Sequence, residues 1–338
     1  MTNLPEEQRP EPASAPLQTD PTPQSPFATQ PLHTLSHFAQ PVATATQAVA
    51  PSRPDLQFFH TYALPPARPP VRIPHFGHLL LLALFLGIAL AITGGVLALA
   101  MHFHLFGWQL SAKYATDLRL NLLGEAILYL FTFGFSVIVF PLIWNQGLME
   151  GLEWRADVVR SRFRFLFATA SACFGLALVD QVLMPGPASA PIEKMIAAPG
   201  AAWLMFAFGV TIAPFFEEMF FRGFLLPALA TAWDWMLESM HGAPPRPLDS
   251  RGRPQWSLAA MAAGSIATSI PFALLHVAQQ GHSLGPFVLL IAISLILCAV
   301  RLFTHSLAAS TLVHACYNFL IFFLTMIGTE GFRHFDKM

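Results

Sequence analysis

Three groups of polar residues interrupt apolar runs in the second half of this 338-residue chain, and each contains side chains that could take part in hydrolysis. The groups are Glu217, Glu218 and Arg222, then Phe272 and His276, and then His314 and Asn318. A carboxylate or a histidine can activate water as a general base, and a histidine or an amide can donate to a developing oxyanion. Together these residue types supply a base, a second group that can carry a proton, and donors to an oxyanion.

The first group contains two opposite charges at helical spacing. Glu218 and Arg222 are four residues apart, so they share one face of a helix and can form an ion pair. Glu217 is rotated from Glu218 by about 100° around the helix axis and can point elsewhere. We therefore predict a structural role for the Glu218–Arg222 pair and a chemical role for Glu217.

The composition indicates that a membrane surrounds these residues. The chain is 54% hydrophobic and 11% charged, whereas soluble domains usually carry about 25% charged residues. The formal net charge of -1 gives no indication of a nucleic-acid partner, because nucleic-acid-binding domains carry a basic patch. A charged group at the centre of a membrane helix costs about 2.5–3.5 kcal/mol on insertion scales, so it rarely persists there without a partner or a function.

Seven apolar runs approach the ~20 residues that a helix needs to cross a bilayer. They span residues 79–101, 122–143, 163–184, 200–229, 257–278, 286–303 and 306–327. The sequence predicts an all-α, polytopic membrane bundle of seven helices, or eight if the long fourth run breaks at Pro214. Because consecutive spans are antiparallel, Glu217 and His276 should lie in the same half of the bilayer, and His314 near mid-depth.

The first 74 residues have a different composition from the rest. They hold 16 of the 29 prolines, mixed with Ser, Thr, Gln and Ala, and show no sustained apolar period. We predict a disordered tail over 1–74 that acts as a tether or docks an unknown partner, and a membrane domain over 75–338. The polar motifs fall in a core of about 200–320.

Lysine and arginine predict the orientation. With the N-terminus in the cytoplasm and each residue counted with its nearest loop, 13 Lys and Arg residues fall on the cytoplasmic side against 5 outside. Such a bias is typical of cytoplasmic loops. We expect a multi-pass protein of the inner or plasma membrane with a cytoplasmic N-terminus.

The ordered motifs E-E-x-x-x-R, F-x-x-x-H and H-x-x-x-N, with "RGFLLP" at 222–227, resemble the CAAX protease and bacteriocin-processing family, also called the Abi family. Its members include the type II CAAX prenyl endopeptidases. The resemblance covers about residues 200–320, and the 230–256 connection is longer than usual. It implies an intramembrane endopeptidase in which Glu217 and His276 activate water while His314 and Asn318 stabilise the oxyanion. Its substrates would be membrane-associated proteins or peptides.

Alternatives remain within and beyond the family. Glu217, His276 and His314 offer three ligands for a catalytic zinc ion. A metal-free mechanism is favoured, because no H-E-x-x-H spacing places two histidines on one helix, and no other cofactor site is predicted. A non-catalytic scaffold or bacteriocin-immunity protein would keep the fold without the activity. A proton-carrying transporter predicts paired halves, which the sequence lacks.

Some polar and aromatic residues receive no chemical role. Glu125 and Asp180 lie near the ends of the second and third runs, where they are expected to reach the headgroups. Trp233, Trp235 and Trp256 fit an aromatic belt at the membrane interface.

Overall fold

The computed structural model describes residues 72–105, 117–184, 200–242, 246–249, 253 and 255–334. Within these ranges the elements are helices, and no strand is present. In chain order the helices are α1 (Phe76–His102), α2 (Leu118–Trp144), α3 (Leu148–Gly151), α4 (Ala156–Ser161), α5 (Phe163–Leu183), α6 (Ala201–His241), α7 (Leu258–Val277), α8 (Leu284–Thr304) and α9 (Leu307–Gly328). Except for its last three residues, the predicted tail lies outside the described residues.

Seven of these helices, α1, α2 and α5 to α9, are long and apolar enough to cross a membrane. They correspond one to one with the seven predicted runs, so the predicted all-α membrane bundle is confirmed. The protein is an integral, multi-pass membrane protein. In the described part of the chain the fourth run forms one candidate span, and an eighth crossing is not seen.

The helix α6 passes through Pro214 without a break. A proline ring clashes with the carbonyl four residues earlier in a regular α-helix, and here that carbonyl belongs to Val210. Val210 lies in a π-helical segment, Phe208–Ile212, whose hydrogen bonds span five residues instead of four. A second π-helical segment, Met219–Leu225, follows. The wider turn before Pro214 lets the helix continue through the position at which the eight-span alternative required a break.

The helix α6 also continues beyond the predicted run, to His241. The first twelve residues of the predicted 230–256 connection are therefore helical, and Trp233 and Trp235 lie on this extension. The connection folds back onto it, because the Asp234 carboxylate accepts hydrogen bonds from the backbone N–H of Ser257 at 2.8 Å and from Arg246 at 3.0 Å. Ser257 then caps the start of α7.

Glu153 joins four segments at one end of the bundle. Its carboxylate contacts Arg301 at 2.7 Å and Arg253 at 2.8 Å, while its carbonyl accepts from the backbone N–H of Leu307 at 3.0 Å. Burial by itself raises the pKa of Glu153, but the charges of Arg301, Arg253 and Arg72 outweigh it and lower that pKa to about 2. Four segments thus meet at one end of the bundle, as alternating antiparallel spans require. They are the residues before α1, the α2–α5 connection, the α6–α7 connection and the α8–α9 turn.

Two apolar cores flank the middle of α6. One is formed by α5, α8 and α9, with Leu166, Leu297 and Val313 at its centre. The other packs α1 and α2 against α6 through Phe85, Phe140 and neighbouring side chains. Helix α7 lies against both α6 and α8. The polar motifs lie on α6, α7 and α9, between these cores.

Candidate active site

Glu217 lies between the two motif histidines. Its Oε2 atom is 3.9 Å from Nε2 of His276 on α7 and 3.8 Å from Nε2 of His314 on α9. Both Glu217 and His276 are partly accessible, with side-chain exposures of 18% and 24%, whereas His314 is 6% exposed. Three helices that are distant in sequence therefore bring one carboxylate and two imidazoles together, as the depth argument from the sequence expected.

A hydrogen bond to the backbone sets the tautomer of His276 and leaves the nitrogen near Glu217 as an acceptor. Its Nδ1 lies 2.8 Å from the carbonyl oxygen of Phe272, one turn earlier on α7. A carbonyl oxygen only accepts, so Nδ1 carries a hydrogen and Nε2 keeps a lone pair in the neutral ring. This explains the F-x-x-x-H spacing, since the residue four positions earlier supplies the carbonyl that orients the imidazole.

His314 is oriented by Glu218. Its Nδ1 lies 3.1 Å from Oε1 of Glu218, and that carboxylate also contacts Arg222, so it is an acceptor. Nδ1 of His314 therefore carries a hydrogen, and its Nε2 can donate only when the ring is an imidazolium. Adjacent glutamates thus contact opposite nitrogens of one histidine.

The predicted Glu218–Arg222 ion pair is present and fully buried. Nη1 of Arg222 lies 2.9 Å from Oε1 of Glu218, and both side chains have no exposed surface. Nη2 donates to the hydroxyl of Ser294 on α8 at 2.7 Å, and the guanidinium lies 4.6 Å from the centre of the Phe272 ring. The pair joins α6 to α7, α8 and α9, which is the arrangement expected of a structural pair.

Asn318 lies one turn after His314, and its amide binds the first π-helical segment. Its Nδ2 donates to the carbonyl oxygen of Gly209 at 2.8 Å. A Cβ atom at Gly209 would lie 3.1 Å from the Phe322 ring, so the glycine permits close packing of α9. The sequence predicted an oxyanion donor at Asn318, and in this arrangement one of its two amide hydrogens stabilises the backbone of α6.

A cavity of about 880 Å³ adjoins Glu217. It is lined by residues of α1, α2, α6 and α7, and most of its wall is apolar. Glu125 of α2 is part of that wall, and its Oε1 accepts a hydrogen bond from the Tyr129 hydroxyl at 2.6 Å. Glu125 thus faces the cavity, an orientation that its position near the end of the second run did not predict. Asp180 is also mostly buried, at 9% exposure.

The comparison with known families agrees with this geometry. Residues 199–320 match the family described as type II CAAX prenyl endopeptidase Rce1-like. The predicted resemblance to the CAAX protease family is confirmed over these residues. No curated protein and no solved structure matches the chain. The Rce1-like region contains all three motifs and runs from the start of α6 to the middle of α9. The family is one of proteases, so the match supports an intramembrane protease of the CAAX type in general.

Glu217, His276 and His314 are the donors that the zinc alternative requires. Ligand atoms in a tetrahedral zinc site lie about 2.0–2.2 Å from the ion, and therefore about 3.3 Å from one another. Glu217 is 3.8 and 3.9 Å from the two imidazoles. Among the described residues, no group of three or more His, Cys, Asp or Glu side chains has the spacing to hold a metal ion. The two distances from Glu217 are thus wider than those between the ligands of a closed tetrahedral zinc site.

Proposed function

We propose that this protein is an endopeptidase that hydrolyses peptide bonds of membrane-associated proteins or peptides within the bilayer. The observation that supports this most directly is the 3.9 Å separation between Oε2 of Glu217 and Nε2 of His276. The two atoms are too far apart to bond to each other, and a water molecule about 2.8 Å from each would join them. Both atoms are acceptors, so they would hold both hydrogens of that water and leave an oxygen lone pair for attack.

The reaction then follows from these two bases. The water oxygen forms a bond to the carbonyl carbon while Glu217 takes one of its protons, which gives a tetrahedral intermediate with a negative oxygen. When the C–N bond breaks, the proton passes from Glu217 to the leaving amine, and a carboxylic acid and an amine result. A positioned base of this kind typically contributes about 10²–10⁴ in rate.

His314 and Asn318 are the proposed donors to the oxyanion. His314 would act as an imidazolium, because its Nδ1 hydrogen is directed at Glu218 and its Nε2 needs a second proton to donate. Asn318 would use the amide hydrogen that does not bind Gly209. Preorganised donors of this kind are worth about 10²–10³ each in mutational studies of other hydrolases. The proposed mechanism uses no metal and no organic cofactor.

The orientation and the membrane are part of the same proposal. The end of the bundle that holds Glu153 carries most of the positive loops, so the N-terminus and this end would face the cytoplasm, in an inner or plasma membrane. The Pro-rich tail would then lie in the cytoplasm as a tether or as the docking segment for a partner.

Cleavage and metal content, measured together on the detergent-purified chain, test the proposal. We expect Glu217→Gln to lower turnover of a cleaved peptide about 10²–10⁴-fold. A matched control is Glu150→Gln, which removes the same charge from an exposed position on α3 and should leave turnover unchanged. We expect cleavage to survive chelation and the protein to contain no stoichiometric zinc.

Three results would contradict parts of this proposal. Equal turnover in Glu217→Gln would remove Glu217 from the chemistry. Stoichiometric zinc with chelator-sensitive cleavage would replace the metal-free mechanism with the zinc alternative. If wild type cleaved none of the peptides tried and Glu217→Gln behaved as wild type in cells, a non-catalytic scaffold or immunity protein would be the better description.

A further inference from the structure

The cavity beside Glu217 has one polar wall and one apolar wall. The polar wall belongs to α2, where four side chains spaced four, four and three residues apart share one helix face. These are Asn121, Glu125, Tyr129 and Thr132. The apolar wall belongs mainly to α1 and includes Leu82, Leu86, Leu90 and Leu97. A substrate that fills the cavity would therefore meet its hydrogen-bonding groups along α2.

The described wall of this cavity carries acidic side chains that no lysine or arginine accompanies. Among the described residues that line it, Glu125 and Glu217 are ionisable acids, and neither lysine nor arginine is present. Arg222 lies on the same helix as Glu217 but is fully buried and bound to Glu218 and Ser294. Among the described lining residues, therefore, no lysine or arginine pairs with Glu125 or Glu217.

The position of Glu125 is fixed relative to Glu217. Its Oε1 accepts from the hydroxyl of Tyr129, and the Tyr129 ring stacks on Phe216 with ring centres 4.5 Å apart. Phe216 immediately precedes Glu217 on α6. The second oxygen of Glu125, Oε2, receives no hydrogen bond from the described residues. A carboxyl group in apolar surroundings is stabilised either by protonation or by pairing with a cation, and a cationic side chain from outside the protein would pair with it at this oxygen.

We propose that Glu125 is a specificity-determining residue that binds a lysine or arginine side chain of the substrate near the scissile bond. The assignment rests on the proposed endopeptidase function, since it places the basic side chain close to Glu217. Tyr129 holds the Glu125 carboxylate in place, and the leucines of α1 contact the apolar part of the substrate. A purely structural Tyr129–Glu125 hydrogen bond would give no preference for basic peptides.

The test is binding of matched peptides to the full chain in detergent. Two otherwise uncharged peptides with blocked termini differ at one position, with lysine in one and glutamine in the other, and that position is scanned along the peptide. In wild type we expect the best lysine peptide to bind about ten- to a hundredfold more tightly than its glutamine partner, as for a charge-assisted hydrogen bond. Glu125→Gln should abolish this preference while glutamine-peptide affinity stays unchanged. Glu150→Gln should behave as wild type.

A second variant covers the case in which Glu125→Gln does not fold. Tyr129→Phe keeps the carboxylate and its charge, so it should retain a lysine preference of several fold. Equal affinity for both peptides at every position in wild type would overturn the assignment. So would a preference that survives Glu125→Gln, or a Glu125→Gln variant that weakens both peptides equally.

Cleavage of the same peptides separates this inference from the proposed function. A lysine preference in binding without cleavage of any peptide would refute the endopeptidase and leave Glu125 as a cation-binding group. Cleavage that depends on Glu217 but shows no lysine preference would support the endopeptidase and refute the role of Glu125.

Discussion

Replacing Arg222 by methionine removes the cation from a pair whose two side chains are both fully buried. Glu218 then keeps the hydrogen bond from His314 but has no cation beside it, and Ser294 loses its bond to the guanidinium. A buried carboxylate without its partner cannot be solvated by water. The variant therefore measures what an unpaired charge costs at this position between four helices.

The magnitude follows from that burial. Removing one partner of a buried ion pair typically destabilises a protein by about 3–5 kcal/mol, and we expect this for Arg222→Met and for Glu218→Gln. The double variant leaves no unpaired charge, and its glutamine can still accept from His314. We expect it to lose about 1–3 kcal/mol, the cost of a buried amide group with incomplete hydrogen bonds. Each single variant should thus be less stable than the double.

Denaturant titration of the full chain in mild detergent, followed by tryptophan fluorescence, gives the free energies of unfolding. Arg155→Met provides the matched control, because Arg155 forms an exposed ion pair with Asp157 and should contribute little. If the losses of the two single variants simply added in the double, Glu218 and Arg222 would act independently. The assignment of Glu218 to structure, and with it the division of roles between the two glutamates, would then be wrong.

Two further predictions concern stability. Because the pKa of Glu153 is lowered from its ordinary 4.5 to about 2, its contribution is fully present above pH 4.5 and disappears as the pH falls toward 2. The difference in unfolding free energy between wild type and Glu153→Gln should shrink over that range, and a pH-independent difference would contradict it. Gly209→Ala places a Cβ atom 3.1 Å from Phe322 and should cost about 1–3 kcal/mol. Gly134→Ala meets nothing within 4 Å and should cost nothing, so equal losses would refute the packing argument.

The sequence predicted the spans and the meeting of Glu217 with the two histidines for a physical reason. A bilayer requires about 20 apolar residues per helix, so apolar run length is a strong signal. Once the runs alternate in direction, the position of a residue in its run gives its depth. Depth was sufficient to place Glu217, His276 and His314 at compatible levels.

Rotation about the helix axis could not be predicted in the same way. In a water-soluble protein the apolar face of a helix packs against the core. In a membrane the lipid and the protein core are both apolar, so the apolar face no longer indicates which side of the helix is buried. The position of Glu125 near the end of its run indicated its depth, but it did not indicate that the side chain faces the cavity. Its four-residue spacing from Tyr129 was the available signal for a hydrogen-bonded pair.

The partner of Asn318 and the end of α6 were missed for other reasons. The four-residue spacing placed Asn318 beside His314. The carbonyl that Asn318 binds lies in a π-helical segment, and no residue pattern in the sequence predicted that segment. The fourth run was predicted to end at residue 229, whereas the helix extends past Asp234 to His241. The helix continues because contacts with the following connection satisfy Asp234.

Because α6 contains two π-helical segments, the direction in which the Glu217 side chain points depends on the number of residues in α6 as well as on its contacts. A π-helical turn is equivalent to one residue inserted into an α-helix. Deleting one residue from Phe208–Ile212 would turn the preceding part of α6 by about 100° relative to Glu217. Gly209 could then no longer bind Asn318 while Glu217 faces His276 and His314. Substitutions can adjust this site gradually, but a single-residue insertion or deletion in α6 would reorient it in one step.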